Sequence, residues 1–343
     1  MVEIARKVEA RQIAGPKDIP FAEILETQRP MVFRGLVREW PLVQEGLAGP
    51  ERAVGYLKAR YGGQPIVGYC GAPEIGGRFF YDADMAGLNF RTERVRLDDF
   101  LDRMIAHLAD DQAPALYVGS TDVDTYLPAV RAENDMGLGQ ELWGEEPPLV
   151  SIWIGNRTTA SAHYDMSNNI ACCVAGRRRF TLFPPDQVEN LYPGPLELTP
   201  GGQVVSMVDF RDPDFERHPR FREALAAAQA ADLEPGDVLV YPAMWWHHVE
   251  ALDPFNILIN YWWNGTPSFM DTPMNTLLHA LLSLRDRPAF EKQAWKSLFD
   301  YYVFGPPDRP AAHLPEAARG ALGPMDELKA RRLRAQLLNR LNR

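Results

Sequence analysis

His163-Tyr164-Asp165 and Trp245-Trp246-His247-His248 hold the side chains of this sequence best suited to carry chemistry. The first stretch offers an imidazole and a carboxylate two positions apart. On a β-strand, residues i and i+2 face the same way, so both side chains can reach one metal ion. The second stretch offers the imidazole that completes a set of two histidines and one carboxylate. Such a set fills one face of a divalent metal and leaves the other face open, which suits oxygen activation at non-haem iron(II). A single His-x-Asp also arises by chance, or as a surface turn with a capping aspartate, so its setting in a strand-rich region carries the weight. Strand alternation lets only one ring of the His247-His248 pair join a given metal. The other ring must bond elsewhere. A reading in which both are buried polar residues packed by Trp245 and Trp246 stands beside this one.

Other polar residues fall on stretches that otherwise read as core. Arg177-Arg178-Arg179 follows a turn at Gly176. If the middle guanidinium points inward, its neighbours point outward, and an inward arginine needs an anion. A dicarboxylic co-substrate would supply one, because an arginine fork matches a carboxylate bidentately. A buried ion pair or an exposed basic edge strand are the alternatives. Asn168, Asn169 and Asn260 lie on apolar strands, where asparagine is depleted. Buried amides there must bond a neighbouring backbone or a ligand. Tyr117, between Leu116 and Val118, can present a phenol inward. Cys172-Cys173 sits in an apolar run and reads as two small buried hydrophobes. No glycine-rich phosphate loop, nucleophile elbow or Cys-x-x-Cys zinc site occurs in the sequence.

These residues must be positioned by 343 residues, 46% hydrophobic and 24% charged. That length allows one large domain or two modest ones, with a core that needs no covalent staples. The three cysteines form no even framework, the N-terminus is charged, and no apolar run is long enough to span a bilayer. A reducing compartment, a cytoplasmic location and no membrane partner are expected. A net charge of −10 argues against general nucleic-acid binding. Residues 325–343 run the other way: six basic residues against Asp326 and Glu327 give a local +4 and leave −14 for the rest. The leucines of this terminal stretch make it too apolar for a free tail, so a homodimer through the C-terminal helices is expected.

Three regions are expected: 1–114, mixed α/β and supporting; 115–265, the β-rich core; and 266–343, helical. In the first, the patterning predicts a short helix near 21–26, a strand at 31–33, a turn with an apolar anchor at 38–42, and helices over 50–60 and 97–108. Strands are expected at 66–69 and 78–81. In the core, strands are expected at 115–119, 149–154, 168–174, 178–183, 203–208, 237–241, 247–252 and 255–263. One helical insertion, 214–228, interrupts them. Many short strands at this spacing suggest a barrel or sandwich. The last region predicts helices over 274–284 and 289–302, then a terminal one.

A set of blocks in the core carries a family resemblance. They are Ala162-His163-Tyr164-Asp165, Phe183-Pro184-Pro185-Asp186-Gln187, Asn190-Leu191-Tyr192-Pro193, Pro235-Gly236-Asp237-Val238-Leu239, Trp245-Trp246-His247-His248-Val249-Glu250 and Asn260-Tyr261-Trp262. Together they resemble the cupin-like Jumonji-C oxygenases, most closely their asparaginyl-hydroxylase branch. Arg29-Pro30-Met31-Val32-Phe33-Arg34-Gly35-Leu36 with Trp40-Pro41 extends the resemblance over roughly residues 20–265.

The resemblance implies a mainly β fold: a double-stranded β-helix (jelly-roll, cupin) core, an N-terminal α/β region and C-terminal helices that often dimerise. It implies Fe(II), 2-oxoglutarate as co-substrate, and O2. His163, Asp165 and His247 fall on the iron ligands. Tyr117 falls on a phenol for the distal carboxylate of 2-oxoglutarate, Asn169 and Asn260 on amides near metal and co-substrate, and Trp262 on an aromatic wall. Two positions depart from the pattern. Arg178 stands where the family enzyme has a lysine, and Ala160 where it has a threonine. The implied activity is hydroxylation of a protein or peptide side chain, with release of succinate and CO2. An oxygenase acting on a small molecule or modified nucleotide, and a non-catalytic cupin sensor of metal or ligand, are the competing readings.

Overall fold

The computed structural model describes residues 4–144 and 146–342. They form two compact units, Met1–Asn264 and Gly265–Arg343. The first unit opens with β1 (Glu9–Arg11), α1 (Phe21–Thr27), β2 (Met31–Phe33), α2 (Pro41–Ala48), α3 (Pro50–Arg60), β3 (Ile66–Gly71), β4 (Arg78–Phe79), β5 (Phe90–Val95), α4 (Leu97–Ala106) and β6 (Ala115–Asp122). Three short helices follow: α5 (Val123–Tyr126), α6 (Pro128–Glu133) and α7 (Gln140–Trp143). Then come β7 (Leu149–Gly155), β8 (Thr159–Tyr164), β9 (Asn168–Ala175), β10 (Arg178–Phe183), α8 (Phe221–Ala227), β11 (Gln229–Leu233), β12 (Val238–Tyr241), β13 (Trp246–Ala251) and β14 (Asn256–Trp263).

The strands make two sheets. The larger runs β1-β2-β12-β9-β14-β7-β6-β3-β5, the smaller β11-β10-β13-β8-β4. Strand pairing is antiparallel except for β1 with β2 and β4 with β8. The chain is therefore a mainly β jelly roll with flanking helices.

Period-two alternation sorts each strand into layers. On β9, Ile170, Cys172 and Val174 face the helices α1 to α4, where they join Leu42, Leu57 and Phe100. Ala171 and Cys173, one residue out of phase, face the gap between the sheets and meet Phe180 and Leu182 of β10 and Leu239 of β12. The outer face of the smaller sheet is capped by a third cluster, where Phe183 and Trp246 pack on Phe210 and on Phe221 of α8. The central strands of both sheets are thus covered on both faces and read as nearly continuous apolar runs, whereas edge strand β5 buries no residue. Each fully buried large side chain contributes roughly 1.5–3 kcal/mol. Close packing sets one glycine: a Cβ on Gly68 of β3 would lie 2.5 Å from the Phe100 ring of α4.

Several expectations need correction. The 38–42 stretch is not only a turn: Trp40 caps α2, whose first residue is Pro41, a position where proline's missing N–H is harmless. Residues 203–208 form no strand; Val205 and Ser206 make only isolated bridges to His163 and Pro193. The insertion at 214–228 is helical only over α8, and β11 follows it at once. Helices α5 to α7 occupy part of a region expected to be mostly strands. Asp165 lies just past the end of β8 rather than on it.

The second unit holds α9 (Pro273–Ser283), α10 (Ala289–Tyr302) and α11 (Glu327–Leu341). Proline at the first position of α9, with the Thr272 hydroxyl accepting from the Met274 N–H, sets its start. Asp326 does the same for α11, accepting from the Lys329 N–H at 2.8 Å. None of these three helices carries a buried residue. No helix among the described residues is long and apolar enough to cross a membrane.

Candidate metal centre and its anion pocket

The metal-ligating atoms of His163, Asp165 and His247 all lie within 4.8 Å of one another. Neighbouring strands put them there. His163 on β8 and His247 on β13 are direct cross-strand partners, and their rings are 4.2 Å apart. Between His247/Val249 on β13 and His163/Ala160 on β8 the register slips by one residue, a bulge at Ser161-Ala162. A bulge turns the chain by one position, so Ala160 and His163 both line the cavity although they are three apart. Asp165 is held just beyond the strand by its carbonyl, which accepts from the Met244 N–H at 2.8 Å.

Each ligand is oriented by a second bond. The Nδ1 of His163 donates to the Ser161 carbonyl at 2.8 Å, and that of His247 to the Trp245 carbonyl at 3.1 Å. Both rings then present Nε2 as the free lone pair, the tautomer that binds metal. The Nε2 of His247 lies 3.6 Å from Asp165 Oδ2. Burial, helped by the neighbouring His163, pushes His247 down to about 4, so its ring is neutral at physiological pH. A relay of amides reaches the carboxylate from behind. Trp153 Nε1 donates to Asn260 Oδ1 at 2.7 Å, Asn260 Nδ2 to Asn169 Oδ1 at 3.4 Å, and Asn169 Nδ2 to Asp165 Oδ2 at 3.4 Å.

Arg178 lies deeper in the same cavity, which measures about 150 Å³ and is lined also by Tyr117, Asn169, Asn260 and Trp262. Arg178 is the inward member of its triplet: Arg177 pairs with Asp253 and Arg179 with Asp232. It is 3% exposed, lies beside the Tyr117 phenol, and keeps Nε and Nη2 without a partner among the described residues. Burial holds its guanidinium below the ordinary arginine range and pushes the Tyr117 phenol up to about 12. A buried cation beside a neutral phenol, with donors to spare, fits a carboxylate. The donor set of two imidazoles and a carboxylate fits a divalent transition metal.

His248 faces the other side of β13. It stacks on Phe210 with ring centroids 4.2 Å apart, and neither ring nitrogen has a hydrogen-bond partner among the described residues. Asn168 accepts from the Ala243 N–H at 3.0 Å and serves the loop rather than the cavity. Cys172 and Cys173 are free and fully buried, with thiols pushed well up by burial.

Two site residues escaped sequence reasoning. Tyr241 of β12 lines the cavity, its ring 5.0 Å from that of His247, and burial beside Asp165 raises its phenol well above the ordinary range. Trp153 of β7 starts the amide relay. The signal for both was alternation: each is out of phase with neighbours that pack on the helices.

Residues 16–269 match the cupin-like domain family. The chain is 38% identical to human (Homo sapiens) HSPB1-associated protein 1 over 114 residues, 33% of this chain and 23% of that protein. Lysine-specific demethylase 8 of Xenopus tropicalis is 25% identical over 246 residues, 70% of this chain and 49% of that protein. Its counterpart from Danio rerio is 23% identical over 249 residues, 71% of this chain and 55% of that protein. The chain therefore spans between about a quarter and just over half the length of these curated relatives.

Proposed function

The chain belongs to the cupin-like domain family, and from that premise we propose that it is an Fe(II)- and 2-oxoglutarate-dependent oxygenase that hydroxylates a protein or peptide side chain. The observation that carries the reading is one cavity holding both the His163, Asp165, His247 cluster and the unpaired, buried Arg178. Bound iron would supply oxygen activation: one C–H bond of the substrate, O2 and 2-oxoglutarate give the alcohol, succinate and CO2.

The side chains divide this work. His163, Asp165 and His247 hold the metal on one face. Arg178 and Tyr117 receive the far carboxylate of 2-oxoglutarate, the guanidinium by a bidentate pair and the phenol by donation. Asn169 and Asn260 fix the Asp165 carboxylate through the relay. Trp262 walls the cavity, edge-on to Trp153 at 5.7 Å, and helps exclude water from the reacting atoms. Arg178 replaces the family's lysine with a fork, and Ala160 removes a hydroxyl worth roughly 0.5–1.5 kcal/mol as a hydrogen bond.

The names of the demethylase relatives point to protein substrates for those proteins. We assign the chain to the cytoplasm, in keeping with its free cysteines, and pair it with a second copy through its C-terminal helices.

The test is succinate release from 2-oxoglutarate in the presence of Fe(II), with and without candidate peptides. Peptide-stimulated succinate with a matching 16 Da gain on the peptide supports the reading. No succinate from the wild type, and metal affinity unaltered in His163→Ala, removes it.

A further inference from the structure

A second cavity, of about 120 Å³, opens off the metal-binding one. The two share Tyr117, Trp153, Ala160, His163 and Gln203 along their common wall. Asp165, Arg178 and His247 line only the inner cavity, whereas Tyr69, Phe79 and Gly119 line only the outer one. Four aromatic rings form one wall of the outer cavity, and neutral polar side chains, Ser120, Thr158, Thr159, Ser161 and Gln203, contribute to the rest. Phe79 stacks on Tyr117 at 5.7 Å, Tyr117 stacks on Trp153 at 6.0 Å, and Tyr69 meets Phe79 edge-on at 6.2 Å. No carboxylate, ammonium or guanidinium group lines this arm; His163, at its junction with the inner cavity, is its one titratable imidazole.

Resting on the oxygenase reading above, we propose that this aromatic arm seats the substrate residue and selects an uncharged aliphatic or aromatic side chain over lysine or arginine. The arm meets the candidate metal cluster along Ala160 and His163, so a side chain lying in it would end beside His163. An ammonium or guanidinium placed there would lose part of its water and find no carboxylate on the arm's own wall, with the Arg178 cation in the adjoining cavity. Attraction to ring faces returns only about 0.5–2 kcal/mol. The desolvation of a buried ion costs several kcal/mol, so the balance favours a neutral side chain.

Gly119 supplies an independent sign that the arm is kept open. A Cβ built on it would lie 3.2 Å from Tyr69, 3.5 Å from Tyr117 and 3.6 Å from Trp153, at the point where the three rings converge. The Gly119 backbone is not left-handed, so what it supplies is space rather than a special turn. Any side chain there would fill the arm from its wall.

The experiment uses the full chain without added metal, and saturation-transfer NMR. The probes are 4-methylphenol and 3-methylbutan-1-ol against butylammonium and propylguanidinium at equal concentration. The neutral pair is expected to bind, and at least tenfold more weakly to Gly119→Leu, while 2-oxoglutarate affinity by calorimetry stays within about twofold. Gly119→Ala, which intrudes by one methyl, should weaken 4-methylphenol more than the smaller alcohol and guards against a leucine variant that fails to fold. Cations that bind as well as the neutral probes, neutral binding untouched in both variants, or displacement of the neutral probes by 2-oxoglutarate would each overturn the proposal. Succinate release reports on the oxygenase reading separately: its absence with neutral-probe binding intact removes the oxygenase and leaves the pocket.

Discussion

Arg178 lies beside the phenol of Tyr117 in a buried position, with Nε and Nη2 left without partners among the described residues. A buried cation in that state is a burden on the fold and an asset to a ligand. Two opposite effects follow from removing it. In the protein without co-substrate, Arg178→Met should leave the melting temperature unchanged or raise it. Affinity for 2-oxoglutarate should fall by about 2–5 kcal/mol, the usual loss when one partner of a buried charge pair is truncated. Arg178→Lys keeps the charge and loses the fork, and should fall between. Calorimetric titration and thermal melts read both effects. A lowered melting temperature with unchanged affinity would give Arg178 an internal structural role instead.

The relay from Trp153 through Asn260 and Asn169 to Asp165 makes a graded prediction about metal binding. Alanine at His163, Asp165 or His247 removes a ligand and should abolish tight binding. Asn169→Ala removes only the donor that orients Asp165 Oδ2, and losses of about 10–100-fold are typical for such outer partners. Asn260→Ala should cost less, since it acts through Asn169. Titration with Co(II), followed by its visible absorption, measures all five. Asn169→Ala and Asn260→Ala indistinguishable from wild type would show that the backbone bond from the Met244 N–H to the Asp165 carbonyl places this residue without the amide relay.

How far the sequence carried depended on whether a feature was local. Alternation offered Arg178 and Tyr117 an inward face without deciding it, the apolar run marked Cys172 and Cys173 as buried, and Pro50 marked the first residue of a helix that ends at Arg60. The metal triad was legible as residue types, with the family blocks deciding between His247 and His248. Its geometry was not legible, because it rests on a bulge that shifts β8 by one residue against β13. The spacing of His163 and Asp165 suggested one strand, yet Asp165 sits past the strand end and is held by a loop residue distant in sequence, Met244. Tyr241 and Trp153 were missed because an inward aromatic on an apolar strand looks like core until the facing sheet is known. The 203–208 stretch is rich in valine like a strand but finds only isolated bridges, and no local pattern reports the want of a partner.

His248 predicts a pH dependence of folding. Burial, with the Arg78 cation adding to it, pushes the ring down to about 3, against about 6.5 for an exposed imidazole. The unfolded chain therefore binds a proton between those values that the folded chain refuses. This stability is complete above pH 6.5 and is lost progressively as pH falls toward about 3, at up to about 1.4 kcal/mol per pH unit. His248→Phe keeps the stack on Phe210, removes two unpartnered ring nitrogens and abolishes the titration. Urea midpoints between pH 4 and 8 should fall less steeply with acid in the variant, with equal or higher stability at pH 8. Parallel profiles for the two proteins would show that this ring has a partner or water that keeps it solvated.

The C-terminal unit makes the last prediction. Its three long helices bury no residue, and Leu282, Phe290 and Phe304 are 80%, 75% and 75% exposed. A groove in the same unit is walled by Phe269, Met270, Met325, Leu333 and Leu337. Monomers rarely expose apolar surface on that scale, and the local charge of +4 is opposite to the −14 of the remaining chain. A second copy of the chain meets both conditions, offering apolar faces to cover and acidic surface to pair with. Sedimentation of the full chain should give a dimer mass, and truncation before Pro324 a monomer. Metal affinity should survive the truncation, because all three ligands belong to the first unit. An unchanged mass after truncation would remove the terminal helix from the interface, and a monomeric full chain at micromolar concentration would remove the dimer.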